Sequence, residues 1–340
     1  MKAIKYIFFL ILIAIIAFSI YIAVQPSEFS VSRSRTINAP AAVIYNNVND
    51  FKNWSSWSSW VEKDPDMKIT LPELTTGEGS SYTWEDKDGV GHMKTIQTHK
   101  NKSINQTMKI GEYPKSDVSW KFTPNQDGST DVNWTISGKN LPFKFKAFNA
   151  IMGGMETQIG PDYERSLEKL DSIVISDMKR YSIVVNNETT QHSGGFYIYS
   201  TAATTFEDFK SKMETMLPAT IAYAKKNNIT MAGAPFILYH KWDEENNAVM
   251  FSCCVPTTAK VITTGGTFLT GYLAPFKAVK TTLIGDYNNL KEARDKATKA
   301  IVKSGLEQDK NGITLEAYLN SPINTANPAN LKTEIYIAVK

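Results

Sequence analysis

The sequence predicts an α+β protein with an N-terminal membrane helix followed by two domains. Three observations predict this class: an apolar run at the N-terminus, a series of short strand-like segments closed by a long helical segment, and a strand–helix–strand–strand order that occurs twice in the second half. The 340 residues are 42% hydrophobic and 21% charged. This is an ordinary globular composition, and the length is sufficient for two domains.

The N-terminal apolar run extends over Tyr6–Val24, close to the ~20 residues that a helix needs to cross a bilayer. Lys2 and Lys5 precede it, and positive charge favours the cytoplasmic side. A cleaved signal peptide is the alternative, but no A-x-A site closes the run, which ends Ile22-Ala-Val-Gln25. We therefore expect residues 1–5 in the cytoplasm, an uncleaved anchor over residues 6–24, and the globular part on the periplasmic side.

Charge and cysteine content argue against several other classes. The net charge of +3, without a dense run of Lys or Arg, argues against a nucleic-acid partner. Cys253 and Cys254 are adjacent and would face opposite sides of a strand, so no mutual disulfide is expected. The four histidines are scattered without ligand spacing, and we predict neither a metal nor a cofactor.

The first domain is predicted over residues 29–174. Asp88-Gly89 is a hairpin turn signal, and a helix is expected from Gly160 to Val174 with Pro161 in its first turn. Strands are predicted near Phe29–Ile37, Lys68–Leu71, Ser80–Glu85, His92–Thr98, Ser103–Ile110, Asp117–Phe122 and Thr130–Ser137.

Three segments of this domain carry a family resemblance: Ser34-Arg-Thr-Ile-Asn-Ala-Pro40, Trp54-x-x-Trp57-x-x-Trp60 and Gly128-Ser-Thr-Asp-Val-Asn-Trp134. They resemble the polyketide cyclase/START-like (SRPBCC) superfamily. The resemblance implies a helix-grip fold that holds a hydrophobic ligand between the sheet and the long helix, and only some members are enzymes. Trp54, Trp57 and Trp60 could line such a cavity, but we favour core packing for them, because large aromatic side chains contribute most buried area.

The second domain is predicted over residues 180–340 and contains an internal repeat. Helices are expected over Thr205–Lys226 and Leu290–Lys303, and charged residues of the second helix, among them Arg294, indicate a solvated outer face. A pseudo-twofold axis would relate the two β-α-β-β units around a central groove. The alignments that carry the repeat are Gly233–Tyr239 with Gly312–Tyr318, and Phe251–Pro256 with Thr333–Ala338.

The candidate site lies in the last two predicted strands. Each has a Glu two residues before a Tyr: Glu316 with Tyr318, and Glu334 with Tyr336. Side chains two apart in a strand share a face, so pairing of the strands could bring all four together. A carboxylate among aromatic rings suits an amphipathic cation. Two pairs on the protein surface are the alternative.

The repeat favours the ligand site, because the groove would be chemically asymmetric. At three positions the first repeat lacks the acid or tyrosine of the second: Ile237 aligns with Glu316, Ser252 with Glu334, and Cys254 with Tyr336. A buried carboxylate is costly unless it is paired. An unpaired carboxylate facing the groove would therefore point to a cationic ligand.

Paired signatures of this half carry a second resemblance: Gly233-Ala-Pro235 with Tyr239 and Asp243, Gly285-Asp-Tyr287, Leu315-Glu-Ala-Tyr318 with Pro322, and Thr333-Glu-Ile-Tyr-Ile337. They resemble the gyrase-inhibitor-like (GyrI-like) bacterial effector-binding domain. The resemblance implies a module that binds small hydrophobic, often cationic, compounds through an acid and aromatic residues of the second unit. By motif position these residues are Glu316, Glu334, Tyr318 and Tyr336, with Tyr239 as a further ring wall.

These observations lead to a functional hypothesis with two alternatives. The main expectation is a membrane-anchored protein that senses or sequesters a small hydrophobic, cationic molecule. The first alternative is a hydrolase of an electrophilic small molecule, with a groove Glu such as Glu316 as general base, although no catalytic residue is assigned. The second is a transcriptional effector-binding module that acts through a partner.

Overall fold

We describe the protein from a computed structural model. The structure describes residues 2–87, 89–309 and 312–340, with side chains from Ile4 onward. Asp88 of the predicted Asp88-Gly89 turn lies outside these ranges. The chain divides into two compact units, Met1–Asp177 (unit 1) and Met178–Lys340 (unit 2).

The N-terminal apolar run forms helix α1 (Lys2–Val24). Its segment Ile4–Val24 is long and apolar enough to cross a membrane, by length and composition. Its side chains are exposed along nearly the whole helix, and Ile22 is the buried one among those that the structure describes.

Unit 1 contains the elements of the predicted helix-grip fold. Its helices are α2 (Ala41–Asn49), α3 (Trp54–Trp57), α4 (Ser59–Lys63), α5 (Phe143–Ile151) and α6 (Met155–Met178). Its strands are β1 (Phe29–Ile37), β2 (Lys68–Thr70), β3 (Ser81–Asp86), β4 (Gly89–His99), β5 (Ser103–Ile110), β6 (Ser116–Pro124) and β7 (Thr130–Gly138). The described strands form one antiparallel sheet in the order β1-β7-β6-β5-β4-β3-β2. The predicted fold class is confirmed for this unit.

Aromatic rings occupy the space between this sheet and α6. The Trp134 ring on β7 stacks on Tyr163 of α6, with 3.6 Å between the ring centroids. Trp54 and Trp57 are buried and meet Trp134 edge-on. Trp60 is partly exposed and lies edge-on to Trp134 and Tyr163. The predicted tryptophan cluster is therefore a packed core, in which rings join the sheet directly to the long helix.

The start of α6 differs from the sequence prediction. The helix begins at Met155, so Pro161 lies inside it, and the prediction of Pro161 in the first turn was wrong. An interior proline removes one backbone hydrogen bond, which tertiary contacts can offset. The neighbouring Asp162 is buried, accepts a hydrogen bond from Ser59 Oγ at 2.9 Å and pairs with Lys63 Nζ at 2.5 Å. These contacts join α6 to α4.

Unit 2 is built on a second antiparallel sheet with two helices. Its helices are α7 (Phe206–Lys226) and α8 (Leu290–Lys303). Its strands are β8 (Ser182–His192), β9 (Gly195–Thr204), β10 (Phe236–Asp243), β11 (Ala248–Thr257), β12 (Leu269–Leu273), β13 (Phe276–Ile284), β14 (Thr314–Tyr318) and β15 (Lys332–Ala338). The described strands have the order β12-β9-β11-β10-β14-β15-β13-β8.

The strand register agrees with the predicted repeat. The units β9-α7-β10-β11 and β13-α8-β14-β15 meet where β10 pairs with β14. In that pair Ile237 lies opposite Glu316, its equivalent in the alignment (316 − 237 = 79). Cys254 lies opposite Phe236 in the first repeat of unit 2. In the second repeat Tyr336 lies opposite Leu315, as the same alignment requires.

The two faces of this sheet have different cover. Helices α7 and α8 pack on one face, the helix face, where Met213, Ala297 and Ile335 belong to one core cluster. A second core cluster, formed by strand residues, lies on the opposite face, the far face. Cys253 belongs to the helix face and Cys254 to the far face, and both are buried free thiols. The expectation that they form no mutual disulfide is confirmed.

Candidate functional site

Glu316 lies at the centre of the helix face and is fully buried. It occupies β14, between Ile237 on β10 and Ile335 on β15. Its neighbours across the sheet are therefore apolar on both sides. A carboxylate in such surroundings is costly to bury unless it has charged or hydrogen-bonding partners.

Donors from three elements surround the Glu316 carboxylate. Arg294 Nη1 on α8 lies 2.6 Å from Oε1. The hydroxyls of Tyr239 on β10 and Tyr318 on β14 donate to Oε2, at 2.8 and 3.1 Å. Burial, together with the Glu316 charge, raises the pKa of both tyrosines well above the usual 10.0. Both phenols are therefore protonated donors at neutral pH.

Arg294 does not belong to the solvated outer face of the second helix, so that part of the sequence prediction was wrong. Its side chain is 22% exposed, and its guanidinium lies 4.9 Å from the Trp242 ring centroid and 5.9 Å from that of Tyr239. Burial lowers its pKa, but the charge of Glu316, the neighbouring Tyr239 and the hydrogen bond to Glu316 together outweigh burial, so the net shift is upward. Arg294 is thus a permanent cation held between rings and a carboxylate.

A β-bulge brings Trp242 to this site. The register of β10 against β11 shifts between Tyr239 and Lys241. A bulge inserts one extra residue and so changes which later side chains share a face. Trp242, three residues after Tyr239, therefore lies beside it, with 5.6 Å between the ring centroids. We call Glu316, Arg294, Tyr239, Tyr318 and Trp242 the cage.

The repeat explains why the cage has one charged pair. The N-cap residues Thr205 and Asp286 of the two helical segments are 81 positions apart (286 − 205). Met213 and Arg294 have the same separation (294 − 213). Each lies beside one tyrosine hydroxyl: Met213 Sδ is 3.4 Å from the Tyr318 oxygen, and Arg294 Nη1 donates to the Tyr239 oxygen at 3.3 Å. The second repeat thus has the ion pair Arg294/Glu316 where the first has the apolar pair Met213/Ile237.

The predicted convergence of all four groups was wrong. β14 and β15 do pair, but Glu316 lies opposite Ile335, whereas Glu334 lies opposite Ala317. Adjacent residues of a strand face opposite sides. Glu334 and Tyr336 are therefore on the far face, separated by the sheet from Glu316.

On the far face Glu334 forms a second polar cluster, which we call the Glu334 cluster. Lys280 Nζ lies 2.7 Å from Glu334 Oε1, and the Tyr336 hydroxyl donates to Oε2 at 2.8 Å. Burial would raise the pKa of Glu334, but Lys280 and Tyr336 hold it below the usual 4.5. His192 lies edge-on to Tyr336 with 4.9 Å between the rings. Burial lowers the pKa of His192, so it is neutral at pH 7.

Both candidate carboxylates therefore have a cationic partner within the chain. The sequence argument that an unpaired carboxylate implies a cationic ligand loses its premise at Glu316 and Glu334. Sequence reasoning missed Arg294 and Trp242. Both residues are distant from the Glu-x-Tyr motifs in the sequence, so these motifs do not point to them. An offset of 81 residues between the two helices, however, aligns Arg294 with Met213, and this contrast could have indicated Arg294. Among the residues that the structure describes, no group of three His, Cys, Asp or Glu side chains is arranged to hold a metal ion.

Residues 28–174 match a family model described as polyketide cyclase / dehydrase and lipid transport. The match agrees with the resemblance and the fold predicted for unit 1, and it covers less than half of the chain. No sequence among the curated proteins matches this chain significantly.

Several solved structures are similar to the chain. The EcmrR C-terminal domain is 17% identical with a TM-score of 0.41, over 47% of this chain and 98% of that chain. The EcmrR–DNA complex is 16% identical with a TM-score of 0.41, over 57% of this chain and 71% of that chain. Protein CV1439 from Chromobacterium violaceum is 16% identical with a TM-score of 0.31, over 43% of this chain and 96% of that chain. The GyrI-like assignment of unit 2 and the absence of a nucleic-acid partner remain expectations from the sequence.

Proposed function

We propose that unit 2 binds a small hydrophobic cation in the cage, and that α1 anchors the chain in a membrane with the globular part on the periplasmic side. In this role the protein sequesters or senses its ligand. The observation that carries the proposal is the buried Glu316 carboxylate, which holds a planar organic cation, the Arg294 guanidinium, against two aromatic rings. A carboxylate lined by rings is a recognition site for organic cations.

Charge balance defines the class of ligand. If a neutral molecule displaced Arg294, Glu316 would be left buried without its counter-ion, and isolated buried charges are strongly unfavourable. A cationic ligand restores the pair, because it supplies its own charge to the carboxylate. Arg294 is then an internal competitor, and ligand affinity depends on how easily its side chain leaves.

The outer side of the cage supports such an exchange. Arg294 is partly exposed, and Trp242 is 42% exposed, so the guanidinium can move outward without crossing the core. Trp242 would offer an incoming ring a stacking surface. Tyr239 and Tyr318 keep their hydrogen bonds to Glu316 Oε2, so Oε1 is the atom that the ligand would contact.

Unit 1 is the second candidate location for a ligand. The description of the matched family includes lipid transport, which favours a hydrophobic ligand for that unit. The stack of Trp134 on Tyr163, however, brings the sheet and the long helix into direct contact in the region where such a ligand would lie. We therefore assign the ligand site to unit 2.

The hydrolase alternative uses the same carboxylate. A general base needs an oxygen that can reach a water proton. The Glu316 oxygens already accept hydrogen bonds from Arg294, Tyr239 and Tyr318. This arrangement favours a counter-ion role over proton abstraction.

The repeat supplies a matched control for the binding test. The double variant Arg294→Met/Glu316→Ile gives the second repeat of unit 2 the apolar pair that the first repeat has in Met213 and Ile237. We would measure binding of tetraphenylphosphonium to the full chain in lipid nanodiscs by equilibrium dialysis. The wild type should bind, Arg294→Met should bind more tightly because the competitor is gone, and the double variant should not bind. Equal binding by wild type and double variant would refute the cage as the site.

A further inference from the structure

Helix α5 exposes large apolar side chains although it is firmly attached to unit 1. Phe143 is 49% exposed, Phe148 38% and Ile151 67%. Phe145, on the other side of the helix from Phe143, is buried and stacks on Phe29 of β1, with 6.1 Å between the ring centroids. The exposed residues are thus presented by a helix that is fixed to the core. Contiguous exposed apolar surface of this kind marks an interaction site.

The end of α1 lies directly against α5. Lys146 Nζ of α5 donates to the backbone oxygen of Ala23 at 3.2 Å. The Leu141 backbone N–H, just before α5, donates to the Ser27 oxygen at 2.9 Å, just after α1. The buried residue of α1, Ile22, is adjacent to Ala23. If α1 crosses a bilayer, its last turn marks the bilayer surface, so α5 lies at that level.

Other exposed apolar residues lie at the same end of the sheet. Phe29 at the start of β1 pairs with Gly138 at the end of β7, and the antiparallel order places the end of β5 and the start of β4 at this end. Tyr113, just after β5, is 42% exposed and contacts Phe148, with 6.1 Å between the rings. Val90 at the start of β4 is 55% exposed.

We infer that α5 is an interfacial helix that lies in the headgroup region of the bilayer crossed by α1. Its apolar residues would face the acyl boundary, and Lys144, which is exposed among them, would reach lipid phosphates. Tyr113 suits the same level, because tyrosine is enriched at membrane interfaces. Phe143, Phe148 and Ile151, together with Lys144 and Tyr113, form the membrane-facing patch of unit 1. The inference rests on the proposed anchoring by α1 and is independent of the cage.

The test uses the full chain with a polarity-sensitive NBD fluorophore on a single introduced cysteine. The native cysteines are buried and can be replaced by serine to confirm specific labelling. The labelled positions are Ile151→Cys on α5, Ile13→Cys in α1 and Ile96→Cys as control. Ile96 is 50% exposed and lies towards the opposite end of β4 from Val90. Each protein is reconstituted into vesicles of phosphatidylcholine and phosphatidylglycerol, with or without doxyl-labelled lipid.

The inference predicts a blue-shifted emission and strong doxyl quenching at Ile151, and a water-like, unquenched emission at Ile96. Deepest burial is expected at Ile13. Quenching at Ile13 with a water-like emission at Ile151 would overturn the interfacial helix and leave the anchor intact. Water-like emission at Ile13 would overturn the anchor and with it this inference. Neither result bears on cation binding in the cage, which the dialysis experiment tests separately.

Discussion

Ile237 and Glu316 lie opposite each other in the central antiparallel pair of unit 2, and they are also equivalent positions of the internal repeat. The pair therefore lies on the pseudo-twofold axis itself. At this point the two repeats of unit 2 differ in chemistry, since one contributes an apolar side chain and the other a buried carboxylate. Arg294, which belongs to the same repeat as Glu316, compensates the charge: its Nη1 lies 2.6 Å from Glu316 Oε1.

Single and paired substitutions at the cage should have different effects on stability. Glu316→Gln leaves Arg294 largely buried without its counter-ion, and breaking a buried pair in this way costs about 3–5 kcal/mol. The partial exposure of Arg294 places the expected loss at the lower end of that range. The double variant Arg294→Met/Glu316→Ile should lie within about 2 kcal/mol of the wild type, because apolar replacements of buried ion pairs are often neutral. Differential scanning calorimetry of both variants checks this, and equal destabilisation would contradict it.

Trp242 should contribute to ligand binding more than to folding. It is 42% exposed and stacks over Arg294. If a ligand cation takes the place of that guanidinium, Trp242→Ala should weaken its binding by about 0.5–2 kcal/mol, the range of cation–π contacts. Equilibrium dialysis with tetraphenylphosphonium measures this change. Tyr272→Ala, at another exposed aromatic residue of unit 2, is the matched control and should bind as the wild type does.

The Glu334 cluster should make unit 2 sensitive to acid. Lys280 and Tyr336 hold the pKa of the Glu334 carboxyl below the usual 4.5. In the unfolded chain this carboxyl therefore takes up its proton at a higher pH than in the folded protein. The stabilisation is therefore present above pH 4.5 and is lost as the pH falls through the lower folded-state pKa. Thermal melting between pH 6 and pH 3 should show a steeper decline for the wild type than for Glu334→Gln. Parallel curves would show that the cluster is not linked to stability.

The two cysteines should resist thiol reagents in the folded protein. Burial raises the pKa of Cys253 to about 12 and that of Cys254 well above 9.0, and the thiolate is the reactive form. At pH 8 a chromogenic disulfide reagent should titrate neither thiol until denaturant is added, and both afterwards. Rapid reaction of one thiol in the native protein would show that one face of the sheet opens.

The tryptophan cluster of unit 1 should behave as a core. Trp134 is 1% exposed and stacks on Tyr163 of α6. Trp134→Ala should lower stability by about 3–5 kcal/mol, as large-to-small core substitutions do, with loss of the near-ultraviolet circular dichroism signal. Trp60→Ala, at the partly exposed edge of the cluster, should cost less. If the rings instead line an open cavity, the two variants should cost similar, small amounts.

Local sequence patterns predicted the elements of both units well. β5 was predicted with its observed bounds, Ser103–Ile110, because its alternation and its flanking turns are local signals. The start of α6 was predicted wrongly at Gly160, because the contacts of Asp162 with α4 support a proline inside the helix. Helix α5 was missed, since its exposed apolar residues break the pattern of a helix with one buried face.

The sequence by itself determined that Glu316 shares a face with Tyr318, and Glu334 with Tyr336, because that relation depends only on the two-residue period of a strand. It also determined the repeat in which Ile237 is the counterpart of Glu316. Only the tertiary structure decided that the two glutamates lie on opposite faces. A shift of one residue in register moves every side chain of a strand to the other face, and long-range packing of β14 and β15 sets that register. The same packing turns Arg294 inward to Glu316, a contact between a helix and a strand that no local period encodes.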